Sequence, residues 1–145
     1  MFKRILVAVD GSDHAEQALQ KAAQLQKIHD SEMLILTVFR HHSLLEASMS
    51  MVRSAEPTNI DDAMREHARE VAENAKKVAA EAGAQKVRGF VKAGPPARTI
   101  VKFAKEHEAD LIVIGSRGMG DVEGYLLGSV SHKVTSLAKC PVMVV

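Results

Sequence analysis

The chain has 145 residues, of which 46% are hydrophobic and 26% are charged, close to the average composition of a globular domain. This length suits a single domain, residues 1–145, with a sizeable core that needs no disulfides. The 19 Lys and Arg residues nearly balance the 18 Asp and Glu residues, which argues against a protein that coats nucleic acid. With four Phe, one Tyr and no Trp, the chain also lacks the aromatic platform on which single-stranded bases stack.

The remaining bulk features indicate a protein of the cytoplasm. The single cysteine, Cys140, cannot form an internal disulfide, which suits a reducing compartment. The apolar stretch Ile5–Val9 is too short for a signal peptide, and Asp10 ends it. No run approaches the ~18 apolar residues of a membrane-spanning helix. We therefore expect a cytoplasmic protein that contacts neither a membrane nor nucleic acid.

In chain order, short apolar runs alternate with segments of helical periodicity. The first run, Ile5–Val9, is continuously apolar, which is typical of a strand covered on both faces. Ser12 is placed to cap a helix whose apolar residues recur every three or four positions as far as Ile28. The run Met33–Phe39 then predicts a second buried strand.

The middle of the chain is less regular. The stretch Arg40–Thr58 is long for a connection, and long connections are usually functional or mobile. A long amphipathic helix is predicted from about Asn59 to Ala82, with Gly83 as its left-handed C-terminal stop. The run Lys86–Val91 alternates between apolar and polar residues, so we expect a third strand nearer the edge of the sheet.

The last third of the chain repeats the alternation. A third helix is predicted to start at Pro95–Pro96, where a missing N–H costs little. Leu111–Ile114 predicts the fourth strand, Gly128–Ser129 the start of the fourth helix, and Val142–Val145 the fifth strand. Alternating strands and helices in one chain predict an α/β fold, an open parallel sheet with helices on both faces.

A glycine-dense loop follows the fourth predicted strand. Five of the nine glycines lie within 14 residues: Gly115, Gly118, Gly120, Gly124 and Gly128. Ligands of such sheets bind at the carboxyl ends of the strands, and this loop leads into a helix N-terminus whose N–H groups can face an anion. Glycines let the backbone approach a phosphate, and Ser129 and Ser131 add hydroxyl donors. We interpret the loop as a phosphate-binding loop. A flexible surface loop remains the alternative, because the loop matches neither a Walker A motif nor a dinucleotide fingerprint.

The spacing Gly115-x2-Gly118-x9-Gly128-Ser129 resembles the ATP-binding signature of the universal stress protein family. The segments 5–12, 94–104, 110–118 and 140–145 are also similar to that family, so the likeness covers essentially the whole chain. The resemblance implies a three-layer α/β/α, Rossmann-like sandwich of the adenine nucleotide alpha hydrolase type. Its five-stranded parallel sheet would have the strand order 3-2-1-4-5.

The resemblance also implies a ligand and its contacts. The implied ligand is ATP, with adenine and ribose near the ends of the first two strands and the triphosphate along the glycine loop. The implied contact residues are Ala8, Val9, Asp10, Val38, Ile114, Gly115, Ser116, Arg117, Gly118, Gly128, Ser129, Val130 and Ser131. Members of the family usually form homodimers, commonly through the last strand. Here that strand is Val142–Val145, an apolar edge that would otherwise favour aggregation.

Several charged residues admit two interpretations. Asp10 either binds ribose or a metal-bound water, or stabilises the N-terminus of the following helix. Because Asp10 is the only acid at a strand end of this cleft, Mg²⁺ would be held mainly by phosphates and water. Arg117 either neutralises phosphate charge or is a solvated cation. Asp121 and Glu123 bring negative charge into the loop, where they point to solvent or reach a metal ion.

A protein metal site is not expected from this sequence. His41, His42 and Glu46 contain metal-ligating groups, but no further ligand has convincing spacing, so we assign no metal ligands.

Three functional hypotheses follow. The leading one is a regulatory, stress-response protein that binds ATP without dedicated catalysis, since the cleft offers no convincing base or nucleophile pair. The alternative is a slow ATPase or phosphotransferase that uses the same site, with Asp10 orienting a metal or water. A signalling receiver is disfavoured, because it needs a phosphoacceptor Asp after the third strand, where this chain has Ala93-Gly94-Pro95. Protein partners are not identified by the sequence.

Overall fold

A computed structural model of the chain describes residues 1–41, 57–118 and 127–145. These residues contain five strands and four helices in the predicted order. The elements are β1 (Arg4–Ala8), α1 (Asp13–His29), β2 (Glu32–Phe39), α2 (Pro57–Glu81), β3 (Val87–Ala93), α3 (Pro96–Glu106), β4 (Leu111–Ile114), α4 (Ser129–Leu137) and β5 (Val142–Val144). His42, Glu46, Asp121 and Glu123 lie outside the described residues. Across the described ranges, no helix is long and apolar enough to cross a membrane.

The sheet has the strand order that the resemblance implies. Its five strands run parallel in the order β3-β2-β1-β4-β5, which confirms the predicted α/β fold. The central strand β1 pairs on both sides, so Leu6 lies between Leu34 of β2 and Ile112 of β4. The order reverses between β1 and β4. A ligand site is expected outside the carboxyl ends of these two strands, because such reversals leave a crevice there.

Two hydrophobic cores cover the faces of the sheet. Ile5 and Val7 of β1 pack with α1 and α2 on one face, whereas Leu6 and Ala8 pack with α3 and α4 on the other. Ile5, Leu6 and Val7 have no exposed surface. Burial on both faces explains why this strand is continuously apolar rather than alternating. The alternating third strand lies at an edge of the sheet, as predicted.

The predicted helix signals match the structure, while some boundaries differ. The Ser12 hydroxyl caps α1 by accepting a hydrogen bond from the Ala15 N–H at 3.2 Å. Gly83, just after α2, has a φ of 89° and is the left-handed stop. Strand β3 continues two residues beyond Val91, because it stays paired with β2 as far as Ala93. Side-chain patterning does not report that backbone pairing.

The one cysteine belongs to the core beneath α3 and α4. Cys140 is partly buried and packs against this core. Burial raises the pKa of its thiol, and the negative charge of Asp110 acts in the same direction. The thiol therefore stays protonated and poorly nucleophilic at neutral pH, as expected for a core residue.

Thr37 of β2 has a buried hydroxyl that makes no hydrogen bond. It is 4% exposed, and among the described side chains its Oγ1 is the one buried polar atom without a partner. We expect Thr37→Val to raise the free energy of unfolding by about 1 kcal/mol, because a methyl of similar size replaces an unsatisfied hydroxyl. Urea denaturation measures the change. Thr37→Ser keeps the hydroxyl and loses the methyl, so it should lower stability; a valine variant that is also less stable contradicts the prediction.

Candidate functional site

A pocket of about 340 Å³ lies at the carboxyl ends of β1, β2 and β4, where the strand order reverses. This volume falls within the range of small-molecule sites. Every predicted contact residue except Ser116 and Gly128 lines the pocket. Six further lining residues were missed by the sequence analysis: Ser12, Ala15, Leu36, Arg40, Pro96 and Ile100. The structure thus brings the two predicted halves of the site into one cavity.

One wall of the pocket is apolar. Leu36 and Val38 from β2, Ile100 from α3 and Ile114 from β4 line it together with Val130 of α4. Leu36, Ile100 and Ile114 are themselves buried in the core beneath α3 and α4. Such a wall suits a planar, weakly polar ring rather than a charged group.

Asp10 lies at the turn that joins β1 to α1. Its Oδ1 accepts a hydrogen bond from the Ser12 N–H at 3.0 Å, and the residue is largely exposed at the mouth of the pocket. The carboxylate therefore supports the start of α1 and also faces the pocket. Both interpretations of Asp10 are compatible with this position.

Ser116 connects three elements around the glycine loop. Its carbonyl oxygen accepts hydrogen bonds from the Gly128 N–H at 2.6 Å and from the Ser131 hydroxyl at 2.9 Å. Its N–H donates to the Val145 oxygen at 2.7 Å, and its hydroxyl lies 3.1 Å from Nδ1 of His14. Ser116 and Gly128 therefore shape the pocket from behind rather than line it.

Gly115 is required by close packing as well as by its place in the pocket. A Cβ at this position would lie 2.8 Å from the backbone carbon and 2.9 Å from the carbonyl oxygen of His14. Real Cβ atoms essentially never approach a backbone so closely. The end of β4 therefore touches the first turn of α1 directly, which needs a residue without a side chain.

The N-terminus of α4, the positive end of the helix dipole, lies at the pocket. Its N-cap is Gly128, no side chain of a described residue caps it, and its first turn holds no acidic residue. Helix α1, in contrast, has a serine cap and two acids in its first turn. Ser129 and Val130 at the start of α4 line the pocket. The first N–H groups of a helix have no partner within the helix, so together with the helix dipole they make this end of the pocket suited to an anion.

The two predicted serine donors differ in the structure. Ser129 is exposed at the pocket, whereas Ser131 is 3% exposed. The Ser131 hydroxyl contacts the carbonyl oxygens of Ser116 and Gly128 at 2.9 and 3.1 Å. Its proton is therefore used within the protein. We assign Ser131 to supporting the loop and retain Ser129 as the hydroxyl at the anion end.

Two cations flank the pocket. Arg117 comes from the glycine loop, as predicted, and Arg40 directly follows β2. The sequence contained a signal for Arg40, because it is the first residue after the predicted strand Met33–Phe39 and must lie at the carboxyl edge. No such signal existed for Pro96 and Ile100, whose place in the pocket depends on how α3 packs.

The structure gives no support for a protein-bound metal in the described ranges. His41, one of the three residues considered from the sequence, has its Nδ1 3.4 Å from Oδ2 of Asp61. Within residues 1–41, 57–118 and 127–145, no three His, Cys, Asp or Glu side chains lie close enough together to hold an ion.

Comparison with known proteins agrees with this architecture. The family model described as the universal stress protein family matches residues 1–145. Universal stress protein YxiE of Bacillus subtilis is 40% identical over 148 residues, which cover 100% of this chain and 99% of YxiE. Both matches extend over the whole chain, and so do the likenesses among solved structures.

Three solved structures are informative. UspA from Lactobacillus plantarum has a TM-score of 0.82 and 28% identity, covering 99% of this chain and 97% of its own. A universal stress protein in complex with cAMP has a TM-score of 0.72 and 26% identity, covering 99% and 96%. The protein from Archaeoglobus fulgidus in complex with dAMP has a TM-score of 0.70 and 25% identity, covering 98% and 96%. The chain therefore belongs to the universal stress protein family.

Proposed function

We propose that this protein is a nucleotide-dependent regulatory protein that binds an adenine nucleotide, ATP, in the pocket between β1, β2 and β4. The observation that carries the proposal is the N-terminus of α4, which no described side chain caps and whose first turn holds no acidic residue, at one end of a pocket with an apolar wall. This combination suits a ligand that joins a planar ring to phosphates. The related structures with cAMP and dAMP support the choice of adenine.

In this proposal, each part of the nucleotide has its own contacts. The adenine ring packs against the apolar wall beside Val38, and the ribose lies near Ala8, Val9 and Asp10. The phosphates lie along the glycine loop and accept hydrogen bonds from backbone N–H groups and from Ser129. Arg117 and Arg40 reduce the negative charge.

Mg²⁺ is proposed to be held mainly by the phosphates and water. Asp10 is the single acidic residue among the described residues that line the pocket. One carboxylate does not form a dedicated Mg²⁺ site, because this ion usually keeps several waters and binds through substrate phosphates.

We propose that the protein acts through the binding of nucleotide in the site rather than through hydrolysis of that nucleotide. Ser116 links the glycine loop to the C-terminal edge of the sheet through its N–H bond to Val145. Strand β5 occupies that edge and is half-buried. We propose that β5 forms the interface of a cytoplasmic homodimer, so that a ligand on the loop changes contacts at this edge.

Calorimetric titration with ATP tests the binding proposal. We expect Ser129→Ala to weaken ATP binding about 3–10-fold, because one hydrogen bond to a phosphate is lost. Gly128→Val should weaken it at least about 10-fold, because a branched side chain enters the buried turn at the start of α4. Thr135→Ala, on the same helix but outside the pocket, is the control and should bind like the wild type. Absence of ATP binding by the wild-type protein contradicts the proposal.

A second measurement separates occupancy from turnover. Nucleotide extracted from the protein after long incubation with ATP and Mg²⁺ is identified by mass. Intact ATP supports the regulatory proposal. Steady accumulation of ADP that disappears in Asp10→Ala supports instead the alternative of a slow ATPase.

A further inference from the structure

A second depression, of about 370 Å³, follows the seam between α3 and α4 beside the nucleotide pocket. Four basic side chains line it, and we call it the basic groove: Arg40, Arg98, His132 and Lys133. Part of its surface is apolar, because Leu137 of α4 also lines it and is 44% exposed. The groove is as large as the pocket itself, and Arg98, His132, Lys133 and Leu137 belong to the groove alone.

The charge of the basic groove has one sign. Arg40, Arg98 and Lys133 are basic residues whose side chains are exposed to solvent. No acidic residue is found among the described residues that line the groove. None of these three cations forms an ion pair with a described residue, in contrast to Lys102 on α3, which lies 3.8 Å from Glu106. The described residues of the groove therefore present basic side chains to solvent without an acidic neighbour in the lining.

The basic groove is continuous with the pocket. Arg40, Pro96, Ser129 and Val130 line both. The junction therefore lies at the N-terminus of α4, the end of the pocket that suits an anion.

We propose that the basic groove binds a phosphoryl group that lies outside the nucleotide pocket. Guanidinium and ammonium groups form charge-assisted hydrogen bonds with phosphate oxygens, and an anion relieves the mutual repulsion of the three cations. The inference rests on the proposed function, because the neighbouring pocket supplies the nucleotide. The phosphoryl group comes either from a phosphate chain longer than that of ATP or from a separate small phosphorylated molecule.

The test removes two cations from the basic groove without touching the pocket. Arg98→Gln and Lys133→Gln are combined, since neither residue lines the pocket. The matched control, Lys105→Gln with Lys139→Gln, removes the same charge from positions outside the groove. Calorimetry uses two probes: inorganic tripolyphosphate, titrated with and without AMP, and adenosine 5′-tetraphosphate, compared with AMP.

We expect the wild-type protein to bind at least one probe through the groove. The affinity for that probe should fall about 10-fold or more in the groove variant, because two charge-assisted hydrogen bonds are lost, and less than about 3-fold in the control. If the groove variant loses affinity only for tripolyphosphate, the groove binds a separate phosphorylated molecule. If the groove variant loses affinity only for adenosine 5′-tetraphosphate, the groove binds the end of a phosphate chain longer than that of ATP.

Other outcomes overturn the proposal. Equal losses of affinity in the groove variant and the control would show that binding depends only on the overall charge of the protein. If neither probe binds the wild-type protein, the proposed phosphoryl site does not exist. Failure of the proposed function is distinguishable. If AMP does not bind but tripolyphosphate binds and is weakened by the groove variant, the pocket assignment fails and the groove assignment stands. If AMP binds but the groove variant changes the affinity for neither probe, the groove assignment fails and the pocket assignment stands.

Discussion

Replacement of Gly115 by alanine should lower the free energy of unfolding by about 2–3 kcal/mol and weaken nucleotide binding at least about 10-fold. The added Cβ would lie 2.8–2.9 Å from backbone atoms of His14. This backbone cannot move aside alone, because Ser12 caps the same turn of α1. Either β4 or α1 must shift, and both border the pocket. Urea denaturation and calorimetric titration with ATP measure the two effects.

Gly89 in β3 provides the matched control. A Cβ there would meet Cδ of Lys76 at 3.0 Å, which is part of a long, flexible side chain that can move away. Gly89→Ala should therefore change stability by less than about 1 kcal/mol and leave nucleotide binding unchanged. Equal behaviour of the two alanine variants would show that the contact between β4 and α1 does not constrain the site.

Replacement of Gln26 by leucine is expected to lower the free energy of unfolding by about 2 kcal/mol. Gln26 is 4% exposed, and its side-chain amide makes two hydrogen bonds with the backbone of Gln85. Oε1 accepts from the Gln85 N–H at 2.9 Å, and Nε2 donates to the Gln85 carbonyl oxygen. Leucine leaves both backbone groups without these partners, and each unsatisfied group costs about 1–3 kcal/mol, reduced here by contact with water.

The control for this substitution lies on the same helix. Gln24 is exposed, so Gln24→Leu makes the same chemical change without burial and should alter stability by less than about 0.5 kcal/mol. Thermal and urea denaturation of both variants give the comparison. If Gln26→Leu is as stable as the wild type, the link between α1 and the turn before β3 contributes nothing.

Much of the fold was predictable because its signals are local. Ile5–Val9 and Leu111–Ile114 are continuously apolar and short, which left buried parallel strands as the best interpretation. Ser12 and Gly83 have side-chain and backbone properties that act within one turn of a helix, so they marked helix ends correctly. The end of β3 was predicted two residues early, because it depends on pairing with another strand.

The candidate site was predictable where its residues follow strands or begin helices. Glycine spacing and Ser129 predicted that the start of α4 lies at the pocket, since a loop between a strand and a helix must lie at the carboxyl edge of the sheet. Ile100 was not predictable, because its position depends on how α3 packs on the sheet. The close packing that requires a glycine at position 115 was not predictable either, because it depends on residues far apart in the chain. Ser116, next to Gly115, contacts His14, which is 102 residues away in the sequence.

The central position of β1 in the sheet determines at which stage of synthesis and folding the pocket forms. Arg4 and Asp110, which are hydrogen-bonded beside β1 and β4, are 106 residues apart in the chain. During synthesis, β1 and β2 can pair early, but the other side of β1 stays unpaired until β4 has left the ribosome. That open side is a surface on which nascent chains associate wrongly. Because the pocket is lined by residues at the ends of both β1 and β4, only a chain that has passed this vulnerable stage has the complete pocket.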